Sequence, residues 1–178
     1  MKSGVSTTYA TWQSSGTQTA GWGGATAAKT ITSGALSFTA ANTNAKVNGS
    51  DRKYYRAYLW TVDPINLSKF SSIRIVGSLR QYGGSRSGPT SNLPNSYITL
   101  RNHTTGEHLG SIMSKDYTWV YQGGGEYSYD TTTPFDTTIN LSSVTATCQL
   151  RIEAYLNAYY EGESYGGNGS ITAIYLNV

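Results

Sequence analysis

The chain has 178 residues, a length that suits one domain, and only 13% of them are charged, about half the usual share. The net charge of +3 is spread without a basic cluster, the closest approach being Asp51–Lys53; counterion release needs several aligned cations, which argues against a nucleic-acid partner. No stretch approaches the roughly 20 apolar residues that cross a bilayer, and the opening MKSGVSTTYATWQ lacks the apolar run of a secretory signal, so no membrane partner is expected.

Gly, Ser, Thr, Asn and Tyr fill the gap left by charge, with 20 Gly and 15 Tyr. Thr and Tyr favour strands, while Gly, Asn and Ser favour turns. Residues 1–30 form a Ser/Thr/Gly-rich N-terminal segment partly packed on a domain spanning 31–178. The segment carries Trp12 and Trp22, and because disordered leaders seldom carry tryptophan, at least one is expected to pack. Strand patterns follow at Ala35–Ala40, Tyr54–Val62 and Ser72–Tyr82, the last alternating Ile73, Ile75 and Leu79 against Arg74 and Arg80. Further strands are expected at Tyr97–Arg101, Leu109–Met113, Tyr117–Gln122, Phe135–Leu141, Cys148–Gly162 and Ser170–Val178.

Gly-rich loops are expected at Gly83–Asn95, Gly123–Pro134 and Glu161–Ser170, and Asp63–Phe70 is the one candidate for a helical turn, started by Pro64. About nine strands with closely spaced turns and no convincing helix define an all-β fold: a two-sheet antiparallel β-sandwich of jelly-roll type.

Motifs of known chemistry are sparse. His103 and His108 sit near one turn with only Glu107 for company, whereas zinc wants three or four convergent ligands. Cys148 is the single cysteine and falls on the apolar parity of its strand, which reads as a buried free thiol. No nucleophile elbow and no phosphate-binding loop with a following helix is present. No cofactor is expected, although oxygens around Asp130–Asp136 are an alternative site for a structural calcium ion. Glycosidic hydrolysis needs two carboxylates about 5–10 Å apart. Glu153 is the acid most clearly placed on a strand face, and the other strand acid, Asp136, has no evident reason to oppose it. The expectation is therefore a protein that is not an enzyme.

The stretch CQLRIEAYLNAYYEG at Cys148–Gly162 alternates strictly. Cys148, Leu150, Ile152 and Ala154 take one parity; Arg151, Glu153, Tyr155, Asn157 and Tyr159 take the other, roughly 6.6 Å apart. Tyr54, Arg56, Tyr58 and Trp60 form a second such row. If both strands share a sheet, Arg56 or Tyr58 lies beside Glu153 or Tyr155. Candidate ligand-binding residues are Arg151, Glu153, Tyr155, Tyr159, Arg56, Tyr58 and Trp60. Aromatic rings stack on the apolar face of a pyranose, and arginines hold hydroxyl or carboxylate groups. Two other readings stay open. The rows stabilise a sheet through cross-strand pairs without any ligand, or the Tyr54–Trp60 row faces the core. The loops at Gly83–Asn95 and Gly123–Pro134 are rival sites, having the composition of adaptable binding loops.

TAGWGG at Thr19–Gly24, then LSFTA, then AYLWTVDPINLSKFSSIRI at Ala57–Ile75 resembles a domain of phage and prophage tail-associated proteins. In that domain a Gly-Trp segment precedes an acidic-Leu-(Thr/Ser)-x-(Tyr/Phe) element that introduces a core strand; here it runs from Asn66 to Phe70, with Asn66 in place of the acid. The close of the chain, with Ile171, Ile174 and Leu176, resembles the last strands of galactose-binding-like jelly rolls. The resemblance covers residues 19–178 and transfers no catalytic or sugar-contacting residue. It implies a non-enzymatic structural or attachment module that binds a surface carbohydrate. Its partners would then be a glycan ligand, further copies in a homo-oligomer, or other virion proteins, in a virion or outside the cell after lysis. Small jelly-roll xylanases are similar in size and composition and in the pattern Glu161–Ser170. Their upstream nucleophilic glutamate has no counterpart, since Ala57–Leu100 contains no Glu. A purely structural assembly protein and a small glycoside hydrolase are the alternatives.

Overall fold

Period-two alternation between turn-forming residues dictates strands along most of the chain. A computed structural model describes residues 12–19, 25–32, 35–42, 52–61, 63–85, 93–159 and 165–178, with side chains at 58–61, 63–83, 96–116, 118–155 and 169–178. The strands in chain order are β1 (Trp12–Thr19), β2 (Ala25–Thr32), β3 (Ala35–Asn42), β4 (Arg52–Thr61), β5 (Ile65–Asn66), β6 (Ser72–Ser85) and β7 (Leu93–Asn102). They continue as β8 (His108–Tyr117), β9 (Val120–Gly123), β10 (Glu126–Asn140), β11 (Thr147–Cys148), β12 (Leu150–Tyr159) and β13 (Tyr165–Asn177). One sheet has the order β1-β4-β12-β7-β8, the other β2-β3-β13-β6-β10-β9, and β11 pairs with β5 as a short third ladder. Every pairing is antiparallel, which makes the fold a two-sheet β-sandwich of jelly-roll type.

Each expected strand has a counterpart. The additional ones are the two-residue β5 and β11, and β1 and β2, which lie within residues 1–32 and pair with β4 and β3 respectively. Trp22 and the side chain of Trp12 lie outside the described residues, as do 86–92 and 160–164. The described remainder of the two expected loops Gly83–Asn95 and Glu161–Ser170 is strand, in β6, β7 and β13, because the ladders run past their glycines. The third expected loop, Gly123–Pro134, is a hairpin instead: Gly123, Gly124 and Gly125 turn the chain with φ of 100°, 61° and 84°, and Glu126–Pro134 already belongs to β10. Pro134 is tolerated in β10 because β9 pairs only as far as Ser128, which leaves that side of the strand without a ladder to donate to.

The core lies between the two large sheets. Leu59, Ile98, Leu100, Leu150 and Ile152 face inward from the first, and Ile73, Ile75, Leu79, Phe135 and Ile139 from the second. Each fully buried Leu or Ile contributes about 1.5–3 kcal/mol relative to exposure. β13 keeps both Ile171 and Ile174 inside although their spacing breaks period two. A bulge at Thr172 absorbs the extra residue, so that Ile171 pairs with Gly77 and Ile174 with Ile75.

Beneath the core, Leu67–Lys69 forms a single 3-10 turn whose Leu67 is fully buried. Asn66 caps it, its Oδ1 accepting from Ser68 N at 3.1 Å and Ser68 Oγ at 2.6 Å. Asn66 thus supplies the side-chain oxygen that a cap requires. The free thiol of Cys148 is buried at the same end, and burial, followed by the charge of Glu107, pushes it above its ordinary value.

Candidate functional site

Because Leu59, Leu150, Ile152, Ile98 and Leu100 point into the core, the alternate residues of β4, β12 and β7 must point out of the sandwich. The registers align them in rows. Trp60, Arg151 and Arg101 lie side by side; so do Tyr58, Glu153 and Thr99; so do Arg56, Tyr155 and Tyr97. Tyr58 and Trp60 are partly exposed while Leu59 is buried, so the Tyr54–Trp60 row does not face the core at these positions. Of the residues named from sequence, Arg151, Glu153, Tyr155, Tyr58 and Trp60 meet on this face. Arg56 and Tyr159 share its parity on β4 and β12, and their side chains lie outside the described residues.

Glu153 sits at the centre and is only 4% exposed. Its carboxylate lies 3.2 Å from Arg151 and 3.5 Å from Arg101, whose side chains are 19% and 27% exposed. Both guanidinium groups are fixed from other directions as well. Arg151 lies over the Tyr58 ring, 5.2 Å from its centroid. Arg101 donates from Nε to Thr99 Oγ1 at 3.3 Å and from a terminal nitrogen to the Gly106 carbonyl at 2.9 Å.

That carbonyl belongs to the β7–β8 turn, which Asn102 holds in shape. Its Oδ1 accepts from Thr104 N and Thr105 N, and its carbonyl from Gly106 N. The turn delivers His103, whose ring stacks on Trp60 at 4.8 Å with planes 5° apart. His103 N donates to Gln149 O and β4 and β7 both flank β12, so the two rings meet above the start of β12. Burial, and then the nearby Arg151 charge, pulls the His103 imidazole below its ordinary value. Arg151 Nε and His103 Nδ1 are both buried without a protein partner.

Tyr155 stacks on Tyr97 at 4.7 Å with planes 11° apart. That separation equals the strand spacing of about 4.8 Å, so both rings stand upright on the sheet. One face of Tyr155 is therefore covered by Tyr97, and one face of Trp60 by His103.

Tyr97, Thr99, Arg101 and His103 complete the face and are absent from the sequence-derived set. Their alternation against Ile98 and Leu100 is visible in the sequence, but their pairing with β12 spans about fifty residues. Glu107 closes the β7–β8 turn, its carbonyl accepting from Asn102 N, whereas the strand acids lie elsewhere. Asp136 and Asp130 are on the outer surface of the second sheet, where each carboxylate takes two hydrogen bonds from one arginine, Arg74 and Arg80 respectively. These arginines hold both carboxylates below the usual Asp range. His108 contacts Ser111 Oγ at 3.4 Å. Among the described residues no group of three or more His, Cys, Asp or Glu is placed to hold a metal ion, and no helix is long and apolar enough to cross a membrane.

Chemically, the described part of the face offers two guanidinium groups, one buried carboxylate and upright aromatic rings. None of the positions surrounding Glu153 in the sheet (Trp60, Tyr58, Arg56, Arg151, Tyr155, Arg101, Thr99 and Tyr97) is a second carboxylate.

No protein-family model matches the sequence, and no curated protein is similar to it. Among solved structures, the chain is similar to one from work on the promiscuous specificity of carbohydrate-binding modules of the β-sandwich superfamily. The TM-score is 0.44 and the identity 16%, over 96% of this chain and 58% of that one, so the chain spans less than two thirds of its length. The family 11 xylanase from Neocallimastix patriciarum gives a TM-score of 0.46 at 13% identity, over 99% and 96% of the two chains. A carbohydrate-binding module with specific mannan recognition gives 0.38 at 14% identity, over 93% and 86%.

Proposed function

We propose that this protein is a non-catalytic carbohydrate-binding module whose ligand lies across β4, β12 and β7. The observation that carries the reading is the central carboxylate, Glu153, held between Arg101 and Arg151 and framed by Tyr58, Trp60, Tyr97 and Tyr155. Sugar hydroxyls are donors and acceptors at once, and a face of fixed guanidinium and carboxylate groups among rings answers both roles without reorganising. The upright tyrosines favour contact through ring edges and hydroxyl groups over flat stacking. Hydrolysis by paired carboxylates is disfavoured by the surroundings of Glu153, which supply cations and rings. The setting in a phage or prophage tail, as an attachment module for a surface glycan, is carried by the sequence resemblance alone.

A glycan-array screen of the protein, read with its sedimentation mass, tests the reading. The expected result is binding to a defined set of glycans that disappears in the Tyr155→Ala/Tyr159→Ala double variant while the fold persists. A blank array with a defined oligomer would overturn it and make the face an assembly surface. Binding unchanged in the double variant would move the site elsewhere.

A further inference from the structure

We propose that the ligand of this face is an acidic saccharide whose carboxylate docks on the terminal nitrogens of Arg151 and Arg101, and this rests on the reading of the face as a glycan site. The two arginines lie directly opposite each other on β12 and β7, an arrangement that is repulsive in a sheet. Among the described residues, Glu153 is the anion that reaches both. Among the described side chains, two cations and one anion leave the centre of the face net positive, and Arg56 shares its parity on β4. A further carboxylate, brought by a ligand, offsets that charge.

The geometry suits that role in two more respects. Both guanidinium groups are already immobilised, Arg151 against the Tyr58 ring and Glu153, Arg101 against Thr99 Oγ1 and the Gly106 carbonyl. Little side-chain freedom is therefore left to lose when an anion binds. Both also keep part of the side chain in contact with solvent, unlike Glu153. A planar carboxylate matches the fork of a guanidinium in a way that a single hydroxyl does not.

The test uses oligomers of hexuronic acids and the same oligomers with their carboxyl groups reduced to primary alcohols, measured by calorimetry with the whole protein at low and moderate salt. The expected result is binding of the acidic oligomers at least tenfold tighter than of the reduced ones, weakening with salt, and lost by a further tenfold or more in Arg151→Gln. Arg151→Lys, which keeps the charge without the fork, provides a milder variant should the first fail to fold, and should fall between. In the wild type, saturation with an acidic oligomer should also raise the titration midpoint of the His103 ring, followed by NMR, because the anion offsets the Arg151 charge. Equal binding of acidic and reduced oligomers would overturn this inference and leave the glycan reading standing. Binding of neither, together with a blank array, would overturn both. Acidic binding that ignores the Arg151 variants and leaves His103 unmoved would place the anion site elsewhere and overturn it as well.

Discussion

Arg101 and Arg151 face each other across the β7–β12 pair, and the carboxylate of Glu153 reaches both, at 3.5 and 3.2 Å. Like charges directly opposite in a sheet are destabilising. A buried carboxylate between them converts that repulsion into two attractive contacts.

Glu153→Gln keeps the volume and removes the charge, leaving two cations opposed and one buried amide with partners of the wrong kind. A loss of about 1–3 kcal/mol is expected, below the full cost of breaking a buried pair because both arginines touch solvent. Urea unfolding measures it as a lower midpoint at unchanged slope. A change under about 0.5 kcal/mol would mean that solvent, and not Glu153, screens the arginines.

The stack of Tyr97 on Tyr155 carries its own energy beyond burial. Tyr97→Ala, Tyr155→Ala and the double variant form a cycle in which a coupling of about 0.5–1.5 kcal/mol is expected. Additive losses would show that the parallel rings are merely adjacent.

Much of this was legible from alternation. Leu150, Ile152 and Ala154 are inside and Arg151 and Glu153 outside, because one pleated strand allows no other arrangement once its apolar parity is buried. The same rule placed Tyr58 and Trp60 outward only after Leu59 was seen to be buried, since a row of tyrosine, arginine and tryptophan is compatible with either side. What alternation cannot supply is the neighbour. Arg101 joins Glu153 through a register fixed by turns and core packing far from either residue. Turn composition misled at Gly123–Pro134, where three glycines were enough for the turn and the Thr-rich remainder formed strand β10. The spacing of Ile171 and Ile174 looked like a motif, and its physical content is the bulge at Thr172.

That bulge lies beside Gly77, which makes a sharp prediction. A Cβ on Gly77 would collide with the Ser170 carbonyl oxygen and come 2.6 Å from Cζ of the Phe135 ring. Neither backbone nor a buried ring can yield cheaply, so Gly77→Ala should cost about 1–3 kcal/mol or more. Gly124→Ala is the contrast: its φ is positive at 61°, but nothing lies within 4 Å of the added atom, so backbone strain alone remains. Thermal unfolding of the two variants should rank Gly77→Ala well below Gly124→Ala. The reverse order would mean that the second sheet can shift to admit a methyl group.

The pH dependence should separate the two faces of the sandwich. His103 is held below its ordinary value by burial and by Arg151, so between its folded and unfolded values the unfolded chain binds more protons. Stability contributed this way is complete above about pH 6.5 and declines as pH falls below that. Asp130 and Asp136 are also depressed, by Arg80 and Arg74. Their contribution is complete above about pH 4 and is lost as pH falls through their lowered values. Both losses have the same sign but occupy different windows. Unfolding temperatures from pH 8 to pH 3 should therefore fall in two steps, the second the smaller because solvent screens the exposed Arg74–Asp136 and Arg80–Asp130 ion pairs, and His103→Gln should abolish the first while leaving the second. A wild-type profile flat between pH 7 and pH 5 would mean that the His103 ring accepts its proton while still stacked on Trp60. Arg151 would then be screened from it, and the positive centre of the face would be weaker than its geometry implies.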